Sequence, residues 1–138
     1  MSPRPAIVDT NVVVSGLVGR SPAAPPAVVL DGMLRGSFPF LLSIDLLAEY
    51  RVVLLRPRVV ARHGLTADEA DAILADITVN AVVREPVAAP AAPDPGDQHL
   101  WDLLSSEPSA ILVTGDHTLL TAPSIERVIA VNAFAASP

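Results

Sequence analysis

The stretch PAIVDTN at residues 5–11 is a short apolar run that ends at an acid, and AILVTGD at residues 110–116 has the same form. Apolar runs of this length are typical of buried strands. Parallel sheets bind ligands at the carboxyl ends of their strands, where Asp9 and Asp116 would lie. Taken alone, Asp9 is equally explained as a helix cap and Asp116 as a turn residue. Together the two stretches predict a parallel sheet with an acidic site at one edge.

The rest of the sequence alternates strand and helix patterns. Further strands are predicted at residues 38–43, 81–84 and 127–131, and the proline-rich residues 86–95 are predicted to form an extended connection. Helices are predicted to begin after Asp9, at Pro25, after Ser43, at Pro57, after Thr66 and at Pro95. Strands separated by helices require crossover connections. We therefore expect an α/β fold with a single domain over residues 1–138, a three-layer α/β/α sandwich with a central parallel sheet of about five strands.

Further acids lie in the predicted helices. Glu49 falls at the margin of the apolar stripe of its helix, where a carboxylate can reach the edge of a cleft. The segment DPGD at residues 94–97 is typical of a helix start, with Asp94 as the cap and Pro95 in the first helical position. Capping explains both aspartates of this segment without any ligand. We favour the cap for Asp94 and a ligand role for Asp97, because an acid at a helix start can point across a cleft.

Four acids from separate elements suit a divalent metal site: Asp9, Glu49, Asp97 and Asp116. Mg²⁺ and Mn²⁺ bind oxygen ligands, usually one or two carboxylates per ion together with water and substrate phosphates. An ion held in this way lowers the pKa of its bound water and neutralises charge on a leaving oxygen. The four acids therefore predict metal-dependent hydrolysis of phosphodiesters.

Composition narrows the class of protein further. The chain has no cysteine, which excludes disulfides and thiolate metal sites, and all nine of its basic residues are arginine. The net charge of −6 argues against binding nucleic acid by bulk electrostatics. A hydrophobic fraction of 51% is high for a small domain, which indicates that a partner chain covers some apolar surface. Because no apolar run is long enough to cross a membrane, we expect a cytoplasmic protein with no membrane association.

At these residues the chain resembles the PIN-domain ribonucleases, in particular the toxin subunits of toxin-antitoxin pairs. The resemblance extends from about residue 6 to 134 and rests on the order and spacing of five segments: VDTNVVVSGL at 8–17, LLS at 41–43 before the helix that contains Glu49, LRPR at 55–58, DPGD at 94–97 and LVTGD at 112–116. Two departures occur. Gly96 stands where family members commonly have another acid, and Val131-Asn132 stands where they have a Thr-Pro turn.

This resemblance implies both a site and an activity. It implies that the four acids bind Mg²⁺ or Mn²⁺, that Asp94 is a fifth contributor, and that Asn11 and Thr114 orient ligands or water. The implied function is an endoribonuclease that cleaves RNA as the toxin of a toxin-antitoxin system. Its implied partners are the RNA substrate, a cognate antitoxin and a second copy of the chain in a homodimer.

Two alternative functions stay open at this point. Asp9 could accept a phosphoryl group, as in phosphatases or response-regulator receivers, although such proteins usually use a lysine that this chain lacks. A PIN-like domain could also bind RNA or a protein without cleaving it, and the glycine at position 96 is compatible with that function. Four arginines downstream of Glu49 form a basic edge suited to phosphates or to a solvated helix surface: Arg51, Arg56, Arg58 and Arg62. His99 receives no role, because it lies two positions after Asp97 and therefore on a different face of the helix.

Overall fold

Five short strands are present in a computed structural model that describes residues 4–120 and 127–136. They are β1 (Ala6–Val8), β2 (Leu41–Leu42), β3 (Val82–Val83), β4 (Ile111–Thr114) and β5 (Val128–Ala130). All pairings between them are parallel. The chain therefore has the α/β class predicted from its sequence.

The prediction of one central sheet of about five strands is wrong. The main sheet has three strands in the order β1-β4-β5, and β2 and β3 form a separate two-stranded sheet. An isolated bridge between Ala6 and Phe40 is the link from β1 to the second sheet. Proline lacks a backbone N–H, so Pro39 cannot extend the ladder of β2 toward the amino end. Only two of the six residues predicted for this strand consequently belong to it.

The helices begin and end close to the predicted positions. They are α1 (Thr10–Val18), α2 (Pro25–Arg35), α3 (Ile44–Leu54), α4 (Pro57–His63), α5 (Ala67–Asn80), α6 (Gln98–Ser105), α7 (His117–Leu120) and α8 (Val131–Ala135), with a 3-10 turn at Pro95–Asp97 before α6. No helix within the described ranges combines the length and apolarity that a membrane crossing requires.

Local signals account for most of these boundaries. The hydroxyl of Ser43 accepts a hydrogen bond from the Leu46 amide, and Thr66 with Glu69 forms a capping box at the start of α5. At the ends of α2 and α4 the backbone turns left-handed at Gly36 and Gly64, with φ of 68° and 70°. Glycine adopts this conformation without steric cost, which explains why both helices end there.

The main sheet is covered on both faces. All three residues of β1 are fully buried, and successive residues of a strand point to opposite faces. Helix α6 packs on β1 and β4, while α1 packs against α2 and α3. Since Val8 pairs with Val113, the chain leaves β1 and β4 at neighbouring positions. This register places Asp9 next to Thr114 at the carboxyl edge.

Candidate active site

The four predicted acids line one open cleft at this edge. Its cavity has a volume of about 340 Å³, and its wall includes Asp9, Glu49, Asp97 and Asp116. These acids come from four places in the fold: the end of β1, the middle of α3, the 3-10 turn before α6, and the loop after β4. The remaining lining residues are Thr10, Asn11, Val14, Ser15 and Val53. The fold thus brings together side chains that lie up to 107 positions apart in the sequence.

The Asp9 carboxylate is held by three hydrogen bonds. Its Oδ1 accepts from the Thr10 amide at 2.8 Å, so it also caps α1. Its Oδ2 accepts from the Thr114 hydroxyl at 2.8 Å and from the Asn11 side-chain amide at 3.2 Å. Asp9 is only 6% exposed, so little water competes for these donors. The cap and the site role are therefore compatible in one side chain.

Asn11 and Thr114 connect the two strand ends around Asp9. Asn11 Oδ1 accepts a hydrogen bond from the Gly115 amide at 3.1 Å. The Thr114 hydroxyl accepts from the Asp116 amide at 3.0 Å while it donates to Asp9. These bonds fix the backbone that carries Asp116 relative to Asp9. Asn11 and Thr114 therefore lie beside the two acids, where their hydrogen bonds orient them.

Tyr50 contacts the carboxyl end of β1 from helix α3. Its side chain is completely buried, and its hydroxyl donates to the Val8 carbonyl at 2.5 Å. Burial, with a smaller effect from the charges of Asp9 and Glu49, raises the pKa of Tyr50 well above 10. The phenol therefore keeps its proton and remains a donor at any physiological pH. Sequence reasoning did not identify this hydrogen bond, which joins residues 42 positions apart.

Crowding of the acids changes their proton affinity. Burial, and secondarily the neighbouring carboxylates, raises the pKa of Asp97 from 3.8 to about 6. Burial also raises the pKa of Asp9, although the hydrogen bonds from Thr114 and Thr10 oppose the increase. Carboxylates that repel one another in this way are stabilised by a cation placed among them. The cleft is therefore electrostatically suited to a positively charged ligand.

Glu49 contacts a histidine that the sequence did not identify as a site residue. Nε2 of His99 lies 2.5 Å from Oε2 of Glu49. The contact joins α6 to α3 across a separation of 50 residues, so helical spacing within α6 gives no sign of it. Sequence reasoning also missed Thr10, which lines the cleft and whose buried hydroxyl has no hydrogen-bond partner in the described structure.

Asp94 lies outside the cleft lining. Its side chain is exposed and accepts a hydrogen bond from the Gly96 amide at 2.8 Å, as the capping interpretation predicts. Its negative charge still contributes to the raised pKa of Asp97. A role for Asp94 as a fifth metal contributor remains a prediction.

The donor set fits a hydrated divalent cation better than a fully protein-bound one. Within the described residues, no three acids or histidines lie close enough together to hold an ion by direct contacts. Mg²⁺ usually keeps several waters and takes only one or two carboxylates. The four carboxylates line an open cavity of about 340 Å³, which leaves room for such waters. The residues present therefore fit an aquated divalent cation.

The geometry does not favour the phosphoryl-acceptor alternative. Both carboxylate oxygens of Asp9 already accept hydrogen bonds, and the chain has no lysine to neutralise a phosphoryl group. An acid that must attack phosphorus needs a free oxygen with an open approach.

Comparison with known proteins agrees with the fold and the cleft. A family model described as PIN domain matches residues 5–118, which contain all of the predicted acids. A comparison with curated proteins finds no match. Because the family model covers most of the chain, the chain belongs to the PIN domain family, whose members are typically metal-dependent nucleases.

Proposed function

We propose that this protein is a Mg²⁺- or Mn²⁺-dependent endoribonuclease. The observation that carries the proposal is the convergence of Asp9, Glu49, Asp97 and Asp116 on one cleft at the carboxyl edge of a parallel sheet. Membership of the PIN domain family supports nuclease activity in general. RNA as the substrate and a divalent ion as the cofactor are the finer parts of the proposal.

The chain's residues have distinct roles in this mechanism. The four acids would hold the ion, which supplies an activated water and neutralises charge on the phosphate. Hydrogen bonds from Thr10, Asn11 and Thr114 keep the Asp9 carboxylate in one orientation before substrate arrives. Such preorganisation lowers the barrier because the charges need not reorganise during the reaction.

Exposed arginines offer a surface for the RNA backbone. Arg56, Arg58 and Arg62 are exposed on or next to α4, and no ion pair or hydrogen bond engages their side chains in the described residues. Helix α4 packs against α1, and α1 lines the cleft. Phosphates bound there would lead the strand toward the acids. Arg51 is different, since it forms a bidentate ion pair with Asp71.

The decisive experiment is a cleavage assay on a structured RNA with Mn²⁺, with Mg²⁺ or with EDTA. We expect the parent protein to cut with either ion and not with EDTA. Asp9→Asn and Asp116→Asn should each lower the rate by at least about 100-fold, because each removes a carboxylate from the ion. Asp76→Asn, an exposed acid of α5 outside the cleft, is the matched control and should cut like the parent.

Equal cutting by the parent and both cleft variants would contradict the proposal. No cutting by the parent, combined with RNA binding, would favour a PIN-like domain that binds without catalysis. One observation supports that second candidate: the described residues contain no close group of three metal-binding side chains. The assay with added Mn²⁺ therefore separates the two functions directly.

We further propose that the protein is the toxin of a toxin-antitoxin pair and forms a homodimer in the cytoplasm. Two large apolar side chains, Ile44 and Val79, are each 81% exposed, and an apolar groove runs between α3 and α5. Water-exposed apolar surface of this kind is typical of protein contacts. Light scattering should give the mass of a dimer for the parent and of a monomer for Ile44→Asp. Growth arrest on expression that Asp9→Asn abolishes would support the toxin role.

A further inference from the structure

His99 lies against Glu49, and Glu49 lines the cleft. The two side chains are 16% and 33% exposed, and Nε2 is 2.5 Å from Oε2. Both atoms are shielded from water, and the contact lies off the line of a regular hydrogen bond. At this distance two lone pairs would repel each other, so we assign a proton to Nε2. The ring N–H then makes a close but misaligned contact with the carboxylate.

Glu49 depends on this contact more than Asp9 depends on any one of its partners. Asp9 is fixed by three donors, whereas His99 is the one side chain found within hydrogen-bonding distance of the Glu49 carboxylate among the side chains that the structure describes. A glutamate has three rotatable bonds, and holding it in one conformation costs side-chain entropy. Without a partner, its carboxylate would sample several positions in an open cleft.

We infer that His99 is a positioning residue that holds Glu49 ready to bind the divalent ion. This inference rests on the proposed function, since it assigns Glu49 to the ion. His99 itself does not line the cleft, while Glu49 does. Helix α6 therefore contributes twice: the turn before it carries Asp97, and its first turn fixes an acid of α3. Partners of this kind set the orientation of metal-binding side chains and strengthen binding.

The test measures Mn²⁺ binding by the full chain without RNA, from the electron paramagnetic resonance signal of the free ion. We expect His99→Leu to weaken Mn²⁺ binding by about 10-fold, because Glu49 loses its one fixed partner. His99→Gln keeps an N–H donor at a similar reach and should recover most of the affinity. A purely structural role for the ring would not produce this recovery.

Two further variants exclude a general effect of losing a histidine. His63 is also partly buried, with Nε2 2.8 Å from the Leu54 carbonyl and Nδ1 accepting from the Leu65 amide. His63→Leu should lower the melting temperature but leave Mn²⁺ affinity unchanged. In a Glu49→Gln background, His99→Leu should cause no additional loss, since the two side chains act as one unit.

The outcomes separate this inference from the proposed function. If the parent binds no Mn²⁺, both fail together. If the parent binds Mn²⁺ and His99→Leu binds it equally well, the inference alone is overturned. A ¹⁴N hyperfine coupling in the bound-Mn²⁺ spectrum that disappears in His99→Leu would also overturn it, because the imidazole would then be a direct ligand.

Discussion

At the scale of single residues, the cleft combines carboxylates that repel one another with hydrogen-bond donors that stabilise them. Burial raises the pKa of Asp9, and its three hydrogen-bond donors offset only part of this effect. Asp97 has no comparable set of donors, and burial with neighbouring negative charge raises its pKa to about 6. The protein thus keeps one acid fixed and another poorly stabilised in its charged form. Of the two acids, Asp97 is therefore the one whose protonation should change most when a cation binds.

The raised pKa of Asp97 predicts a specific pH dependence of stability. A carboxyl with a folded pKa of about 6 and an unfolded value of 3.8 contributes stability below pH 3.8, and this contribution is lost as the pH rises through 6. Asp97→Asn removes the charge, so in EDTA it should be more stable than the parent at pH 7.5. Discounted for solvent screening, the gain is about 1 kcal/mol, and it should vanish near pH 4.

Thermal unfolding followed by circular dichroism at pH 4 and pH 7.5 measures this difference. A gain of 1 kcal/mol corresponds to a rise of about 3 °C in melting temperature for a chain of this size. Added Mn²⁺ should reverse the order at pH 7.5, because it stabilises only the protein that retains the acid. A pH-independent difference between the parent and the variant would show that Asp97 does not carry the shift.

At the scale of helices and strands, local chemistry predicts boundaries well and long-range contacts poorly. Ser43, Thr66, Gly36 and Gly64 begin or end the predicted helices, because caps and left-handed turns act over a few residues. The separation of β2 and β3 into a second sheet was not predicted, because it depends on how many of their residues pair with another strand. The His99 contact with Glu49 was also missed, because it requires knowing where α6 lies relative to α3.

The ends of α2 and α4 offer a matched pair of glycine substitutions. At Gly64 a Cβ would meet nothing within 4 Å, so Gly64→Ala should cost only the left-handed backbone, about 1 kcal/mol. At Gly36 a Cβ would lie 3.1 Å from Oδ1 of Asn80, whose amide donates to the Met33 and Leu34 carbonyls at the end of α2. Gly36→Ala should therefore cost about 2 kcal/mol, because it also disturbs these hydrogen bonds.

Urea unfolding of the two variants measures both free energies. In an Asn80→Ala background the extra cost of Gly36→Ala should disappear, leaving a value close to that of Gly64→Ala. Equal losses for the two variants in the parent background would mean that Asn80 does not secure the end of α2.

At the scale of the whole molecule, an acidic protein presents a local basic edge. The net charge is −6, yet the arginines of α4 are exposed and unpaired within the described residues, and this helix packs beside the helix that lines the cleft. Composition alone predicted weak bulk attraction to nucleic acid. It did not predict which arginines remain available, because the pairing of Arg51 with Asp71 joins α3 to α5 across 20 residues.

This arrangement predicts how salt affects RNA binding. In an Asp9→Asn background that prevents cutting, Arg58→Gln should weaken binding and lower the slope of log affinity against log salt concentration by about 0.7, the value for one lost phosphate contact. Arg51→Gln is the control, since its guanidinium is already neutralised by Asp71. Fluorescence anisotropy over a range of salt concentrations gives both slopes. An identical effect of the two substitutions would place the RNA elsewhere.

The pairing of β1 with β4 also determines when the acidic site can form during synthesis of the chain. Val8 pairs with Val113, and the Asp9 carboxylate accepts a hydrogen bond from Thr114. Neither contact can form until most of the polypeptide has been synthesised. Contacts between such distant positions form late, because a long loop must close first. A nascent chain that stops before β4 lacks Asp116 and the hydroxyl that holds Asp9. For a protein proposed to cleave RNA, the acidic cleft would therefore be complete only after nearly all of the chain has been made.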